Sequence, residues 1–116
     1  EEYIWTLKQN KLWKGISNEN GVYLNPDIYA KLKSKIADVN IALEAYSELK
    51  IPVIKAIVIV DENGVIEKET IKFLGIYDEK LKDSITTILV TKMLFYPACV
   101  NNKEVKSKIP INIKLK

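Results

Sequence analysis

The most informative part of the sequence is KAIVIVDENGVIEKETIKFLG, residues 55–75. Its first part, 55–60, is mainly β-branched and apolar on both faces, which is typical of a central strand that is buried on both sides. The pair Asn63-Gly64 then supplies the positive φ that a tight turn requires. The return strand, residues 65–73, is more polar and is expected nearer the edge of a sheet. These residues together predict a β-hairpin.

The segment before the hairpin predicts a first helix over residues 25–50. Asn25 is a good N-cap, and Pro26 suits the first helical position because an N–H there would have no partner. Pro52 prevents the helix from continuing. Apolar residues recur at spacings of three and four, as one helix face requires. They are Ile28, Leu32, Ile36, Val39, Leu43 and Tyr46.

A second helix is predicted after the hairpin. Gly75 closes the return strand, Asp78 can cap the helix, and Pro97 lies beyond its end. The apolar residues of this helix again follow a helical spacing, which predicts that one face packs on a core. They are Leu81, Ile85, Ile88, Leu89 and Met93.

The last segment, residues 105–116, alternates between two kinds of residue. Odd positions are mainly apolar, whereas even positions hold lysine, proline and asparagine. This pattern predicts a strand with one face on a core and one face in water. Pro110 cannot donate a ladder hydrogen bond, so we expect an edge strand in which Pro110 faces outward or lies at a bulge.

The predicted order of helix, strand, strand, helix, strand indicates an α+β fold. The second helix crosses between the second and third strands, so these run parallel and the first strand of the hairpin can lie between them. We expect a small, mainly antiparallel three-stranded sheet with both helices on one face. A chain of 116 residues suffices for a single domain, residues 1–116. Residues 1–24 form an N-terminal extension, in which NENG at 18–21 predicts a turn.

The composition narrows the possible functions. The formal net charge of +3 comes from lysine alone, since the chain has no arginine, and the lysines are spread along the sequence. We therefore do not expect a nucleic-acid partner. The absence of histidine and the single cysteine argue against metal sites and histidine-activated nucleophiles, so no metal or cofactor is expected. The longest apolar run, 51–60, is too short to span a membrane, so membrane attachment is expected only through an anchor outside this chain.

An enzyme is the rival class of protein. Its best candidate residues are Cys99 near Tyr96, and the carboxylates Glu67 and Glu69 on one side of a strand. Cys99 has no histidine to activate it, and Lys103 is its only nearby base in the sequence, so we expect a thiol that packs. The two glutamates are expected to form a solvated strand face. The chain is therefore predicted not to be an enzyme.

The same segments resemble a known family, the C-terminal domain of TonB, the periplasmic energy transducer. The resemblance rests on an apolar strand with the turn DENGV (61–65), a strand ending in glycine, a helix, and an aromatic residue followed by Pro-Ala (96–98). An asparagine-containing loop and a strand of the form V-x-x-x-x-P-I-x-I-x-L (105–115) complete it. It covers residues 45–116, whereas residues 1–44 have no counterpart in the family.

The resemblance implies a role in energy coupling rather than catalysis. A domain of this kind binds an extended segment of an outer-membrane transporter in the periplasm of a Gram-negative-type bacterium, and so couples inner-membrane energy to uptake. The segment would add to the predicted final strand, where main-chain hydrogen bonds give affinity. The residues expected to bind the partner strand are Val105, Lys106, Ser107, Lys108, Ile109, Ile111, Asn112, Ile113 and Lys114.

Three alternatives remain open for the final strand. Its lysines and Pro110 could guard the edge against pairing. The same edge could pair with a second copy in a homodimer. The chain could also be a cell-envelope scaffold or accessory protein that binds another envelope protein without transducing energy, with its first 44 residues covering the groove.

Overall fold

The computed structural model describes residues 18–19, 21–24, 26–44 and 53–114. Within these residues the chain is α+β, with one larger sheet and two small ones. No helix in this part is long and apolar enough to cross a membrane. In chain order, the elements are β1 (Asn18–Glu19), β2 (Val22–Tyr23), β3 (Lys31–Leu32), α1 (Ile36–Glu44), β4 (Val53–Val60), a 3-10 turn (Lys68–Thr70), β5 (Lys72–Leu74), α2 (Glu79–Lys92), β6 (Phe95–Tyr96), β7 (Ala98–Val100), β8 (Lys103–Val105) and β9 (Ser107–Lys114).

The larger sheet has the strand order β1-β2-β9-β4-β5. β4 pairs antiparallel with β9, from Val53 opposite Lys114 to Val60 opposite Ser107, and it pairs antiparallel with β5 on its other side. β5 and β9 therefore run parallel with β4 between them, as predicted. The prediction of a three-stranded sheet is wrong, because the β1–β2 hairpin adds two strands beside β9.

The predicted turn after β4 is present, but the return strand is interrupted. Asp61 Oδ1 accepts hydrogen bonds from two backbone N–H groups of the turn, at 2.8 and 3.0 Å, and Gly64 has a φ of 83°. Ile66 then bridges to Val60, and the chain forms the 3-10 turn Lys68–Thr70 before β5 begins. The three residues of this turn are exposed, so no buried side chain holds them against β4.

The first helix begins later than predicted. α1 starts at Ile36 rather than near Pro26. Residues 28–33 instead lie extended beside residues 94–99, in a ladder that includes β3 and β6. Hydrogen bonds across this ladder satisfy backbone groups that a helix would otherwise have to satisfy locally, so tertiary pairing overrides the local pattern.

The part of the predicted helix face that lies in α1 is buried, as expected. Val39 and Leu43 have no solvent exposure. Residues 45–50, which the prediction included, lie outside the described residues, as does the predicted N-cap Asn25. The helix prediction is therefore correct for the core-facing turns and wrong for the segment that precedes Ile36.

The second helix is formed as predicted. Asp78 Oδ1 accepts hydrogen bonds from the N–H groups of Lys80 (3.0 Å) and Leu81 (3.3 Å), which satisfies two of the free donors at the start of α2. The helix ends at Lys92, before Pro97. Its predicted apolar face turns inward, with Leu81 half-buried and four residues buried: Ile85, Ile88, Leu89 and Met93.

The core lies between the two helices and one face of the larger sheet. Alternate residues of β4 and β9 face each other there and are buried, and both helices contribute to the same cluster. Burying each of these large apolar side chains stabilises the fold by about 2 kcal/mol before entropy is subtracted. The facing pairs are Ile54 with Ile113, Ala56 with Ile111, and Val58 with Ile109.

Candidate functional site

The predicted partner-binding strand is β9, and its position in the sheet differs from the prediction. The final strand was expected at an edge, but β9 lies between β4 and β2. The edge prediction is therefore wrong. The alternating pattern and the proline describe β9 alone, whereas the hairpin that joins it comes from residues 18–23, which are far away in the chain.

The hydrogen-bond register shows which backbone groups of β9 point toward β4. The Glu67 N–H donates to the Ile59 carbonyl oxygen at 2.9 Å, so Ile59 directs its backbone toward the β5 side. Val58 and Val60 must direct theirs toward β9, because N–H and C=O directions alternate along a strand. Their partners, Ile109 and Ser107, therefore point back at β4.

The even-numbered residues of β9 consequently point their backbone groups away from β4. We call the backbone groups of Pro110 and Asn112 on this side the outer edge. β2 contacts β9 only at its start, where Tyr23 lies opposite Ser107 and donates a 2.8 Å hydrogen bond to the Lys106 carbonyl oxygen. No strand in the described part of the chain pairs with the outer edge.

Pro110 fits this register because its missing N–H falls on the outer edge. The ladder with β4 loses no hydrogen bond there, which explains how a proline can lie inside β9. The side chain of Pro110 is almost fully buried and lies opposite the half-buried Ile57. The expectation that the even face of this strand lies in water is therefore wrong at Pro110, because β4 carries apolar residues on both of its faces.

The predicted binding residues divide into several groups. Val105 ends β8, where it pairs with Ala98, and is not part of β9. Four residues of β9 are buried on the core face, and their backbone groups point at β4: Ser107, Ile109, Ile111 and Ile113. Lys106, Lys108 and Asn112 are half-buried, and the side chain of Lys114 lies outside the described part. Whether any of them binds a partner strand stays a prediction.

Two polar side chains of β9 are buried without a hydrogen-bond partner. The Ser107 residue has no solvent exposure, and its Oγ makes no hydrogen bond. The Asn112 Oδ1 is likewise buried and unpaired, although the residue as a whole is only half-buried. Such groups are uncommon in folded proteins, because a desolvated acceptor without a donor is costly.

An ion pair lies at the start of β9. The Lys106 Nζ is 2.8 Å from the Glu67 Oε2, and both side chains are partly exposed. The hydrogen bond to Glu67 and the charge of that carboxylate raise the pKa of Lys106. Glu67 was expected to face the same side as Glu69, but Glu69 lies in the exposed 3-10 turn, so the two carboxylates do not form a pair on one strand.

Cys99, the other candidate for catalysis, lies in a pair of backbone hydrogen bonds. Its N–H donates to the Ile28 carbonyl oxygen at 2.9 Å, and its own carbonyl oxygen accepts from the Ile28 N–H at 3.0 Å. The half-buried thiol is 3.9 Å from the Pro97 carbonyl oxygen. Glu104, rather than Lys103, lies directly opposite Cys99. Within the described ranges, no three His, Cys, Asp or Glu side chains form a group that could hold a metal ion.

Comparison with known proteins finds no counterpart. No family model, no curated protein and no solved structure matches the chain. The two features that the sequence did not reveal are the hairpin beside β9 and the ladder between residues 28–33 and 94–99. For the hairpin, the turn at NENG was the only signal, and Gly21 there has a φ of 81°.

Proposed function

We propose that this chain is a non-enzymatic protein-interaction domain of the TonB C-terminal type. In this proposal it binds an extended segment of an outer-membrane transporter in the periplasm, as a strand added along the outer edge of β9. One observation carries the proposal. β9 is paired with β4 along its whole length on one side, while on the other side β2 pairs with it only at Ser107.

The chemistry of the outer edge suits an added strand. The C=O of Pro110 and the N–H and C=O of Asn112 point away from β4, and main-chain groups of this kind provide the affinity in β-augmentation. A polar side chain opposite Asn112 on the partner strand would also be able to donate to the buried Asn112 Oδ1, which has no hydrogen-bond partner. A group that is unsatisfied in the free protein would then be satisfied in the complex.

The order of the elements supports the family that the proposal names. β4, β5, α2 and β9 follow one another as strand, strand, helix, strand, with β4 between β5 and β9. This order supports the proposal, because it is the order expected of residues 45–116 from the resemblance to TonB. The resemblance is also the source of the proposed location in the cell envelope and of the proposed coupling to uptake.

A second candidate is a cell-envelope scaffold or accessory protein in which the N-terminal part covers the outer edge. The observation that favours it is the hydrogen bond from the Tyr23 N–H to the Lys106 carbonyl oxygen, since β2 already lies beside the start of β9. The almost complete burial of Pro110 points the same way. Such a protein would bind its partner elsewhere and would not transduce energy.

Amide hydrogen exchange with a synthetic transporter peptide tests the proposal. We expect the peptide to slow exchange of the Asn112 N–H, which lies on the outer edge. The N–H groups of Ile111 and Ile113 should not change, because they already bond to β4. If the Asn112 N–H is slow in the free protein and the peptide leaves it unaltered, the covered-edge candidate is correct instead.

A pair of variants at one position provides the control. Asn112→Pro removes an outer-edge N–H but no N–H of the ladder with β4. It should therefore abolish peptide binding while β4 and β9 remain paired, as they do at Pro110. Asn112→Thr keeps the N–H and should retain binding. Equal binding by both variants would show that the peptide does not pair with this edge.

A further inference from the structure

A second surface lies on the ladder formed by residues 28–33 and 94–99. Lys31 is opposite Tyr96, and Leu32 is opposite Phe95. The Lys33 N–H donates to the Leu94 carbonyl oxygen at 2.7 Å, which continues the same register. The buried Phe95 and its partner Leu32 face the core. Because side chains alternate along a strand, the residues on either side of these two face outward.

We call the outward group the lysine–tyrosine face; it consists of Lys31, Lys33, Leu94 and Tyr96. Both lysines are exposed, Tyr96 is 56% exposed, and Leu94 is 39% exposed. The Lys33 Nζ lies 5.6 Å from the centre of the Tyr96 ring, within the range of a cation–π interaction. Positive charge and apolar surface are therefore held together at one place.

In the described part of the chain, the ladder brings no acidic residue beside these lysines. Residues 28–35 contain three lysines and no acidic residue, and residues 94–100 contain no charged residue at all. The carboxylate that precedes the ladder is already engaged, since Asp27 Oδ2 accepts a 2.9 Å hydrogen bond from the Asn101 N–H. Neither ion pair found in the described part of the chain involves Lys31 or Lys33.

We infer that the lysine–tyrosine face binds an acidic segment of a partner protein that carries an apolar or aromatic side chain. Carboxylates of that segment pair with Lys31 and Lys33, and its apolar side chain packs against Leu94 and Tyr96. This surface does not include β9, so the inference is independent of the proposed strand addition.

The chemistry of the face favours an acidic peptide over other anionic partners. Single-stranded nucleic acid binds to open aromatic rings and to arginine, but here a lysine already lies over the ring and the chain has no arginine. A membrane surface requires a broader apolar face than one leucine and one tyrosine offer. A peptide needs only a few charge contacts around one apolar anchor.

Fluorescence anisotropy with an acidic probe tests the inference. The probe is a fluorescein-labelled peptide in which glutamates flank one Leu-Phe pair. We expect the double variant Lys31→Glu with Lys33→Glu to bind it about tenfold more weakly, because two attractive contacts become repulsive. Lys80→Glu with Lys103→Glu makes the same charge change at two other exposed lysines and should bind as the native protein does.

Further variants and probes distinguish between the possible kinds of partner. Tyr96→Thr should weaken binding several-fold, and a peptide with Leu-Phe replaced by Ala-Ala should bind more weakly than the probe. Circular dichroism verifies that each variant is folded, and Lys31→Ser with Lys33→Ser replaces the glutamate variant if that one is not. The inference is wrong if both double variants weaken binding equally, or if the Ala-Ala peptide binds as well. It is also wrong if a single-stranded oligonucleotide or phosphatidylserine vesicles bind more tightly than the probe.

Discussion

Gly64 and Phe95 are in direct backbone contact. The Phe95 N–H donates a 2.9 Å hydrogen bond to the Gly64 carbonyl oxygen, and a Cβ atom at Gly64 would overlap the Phe95 carbonyl oxygen. Gly64 also has a φ of 83°, in the left-handed region. The hairpin turn after β4 is thus joined to the chain that leaves α2, and only glycine satisfies both the conformation and the contact.

Gly64→Ala should therefore destabilise the protein far more than the same change at Gly75. Gly75 has a φ of 82°, but a Cβ there would meet nothing within 4 Å. We expect Gly75→Ala to cost about 1 kcal/mol through the backbone alone, and Gly64→Ala to cost about 3 kcal/mol or more through backbone and overlap together. Urea unfolding measures both. Equal losses in the two variants would mean that the contact with Phe95 does not constrain the turn.

Ser107→Ala is expected to leave the stability unchanged or to raise it. The Ser107 hydroxyl is buried without a hydrogen bond, so its removal should gain up to about 1 kcal/mol of unfolding free energy. Ser34→Ala is the matched control, because the Ser34 Oγ accepts a 3.0 Å hydrogen bond from the Leu94 N–H. That variant should lose about 1 kcal/mol. A loss at Ser107 as large as at Ser34 would show that the Ser107 hydroxyl has a partner.

The cap of α2 should be measurable on its own. Asp78→Ala removes the acceptor of two backbone N–H groups and should lower the unfolding free energy by about 1 kcal/mol. Asp78→Ser keeps a side-chain oxygen at the cap and should retain most of that stability. Thermal unfolding of the two variants separates the effect of the cap hydrogen bonds from the effect of the Asp78 charge. Identical melting temperatures would contradict a stabilising role for these hydrogen bonds.

The Lys106–Glu67 pair predicts a dependence of stability on pH. Because Glu67 raises the pKa of Lys106, the pair stabilises the fold below the ordinary lysine pKa, and this contribution is lost as the pH rises through the Lys106 pKa. Glu67→Gln should lower that pKa, as followed by NMR titration of the Lys106 side chain. Glu62→Gln should lower it less, since Glu62 acts only through its more distant charge. A larger effect from Glu62 would contradict the pairing.

The local elements could be predicted from the sequence. The turn at Gly64, the cap at Asp78 and the inward face of α2 depend on residues within a few positions of one another, where backbone conformation and hydrogen bonds are set locally. The central position of β4 also follows from its composition, since its residues are apolar on both faces. These features predict the order of the elements and the α+β class.

The position of β9 in the sheet and the start of α1 depend on pairing between distant segments. Tyr23 pairs with Ser107, and Lys31 pairs with Tyr96, although the two residues of each pair are far apart in the sequence. The residues around them show no pattern that predicts the pairing. The sequence alone determines that residues 107–114 form a strand with an apolar face. Backbone hydrogen bonds between distant segments determine which edge of this strand is paired and which residues lie exposed beside Tyr96. These bonds join main-chain groups that nearly every residue carries, so the side-chain pattern of the sequence does not reveal them.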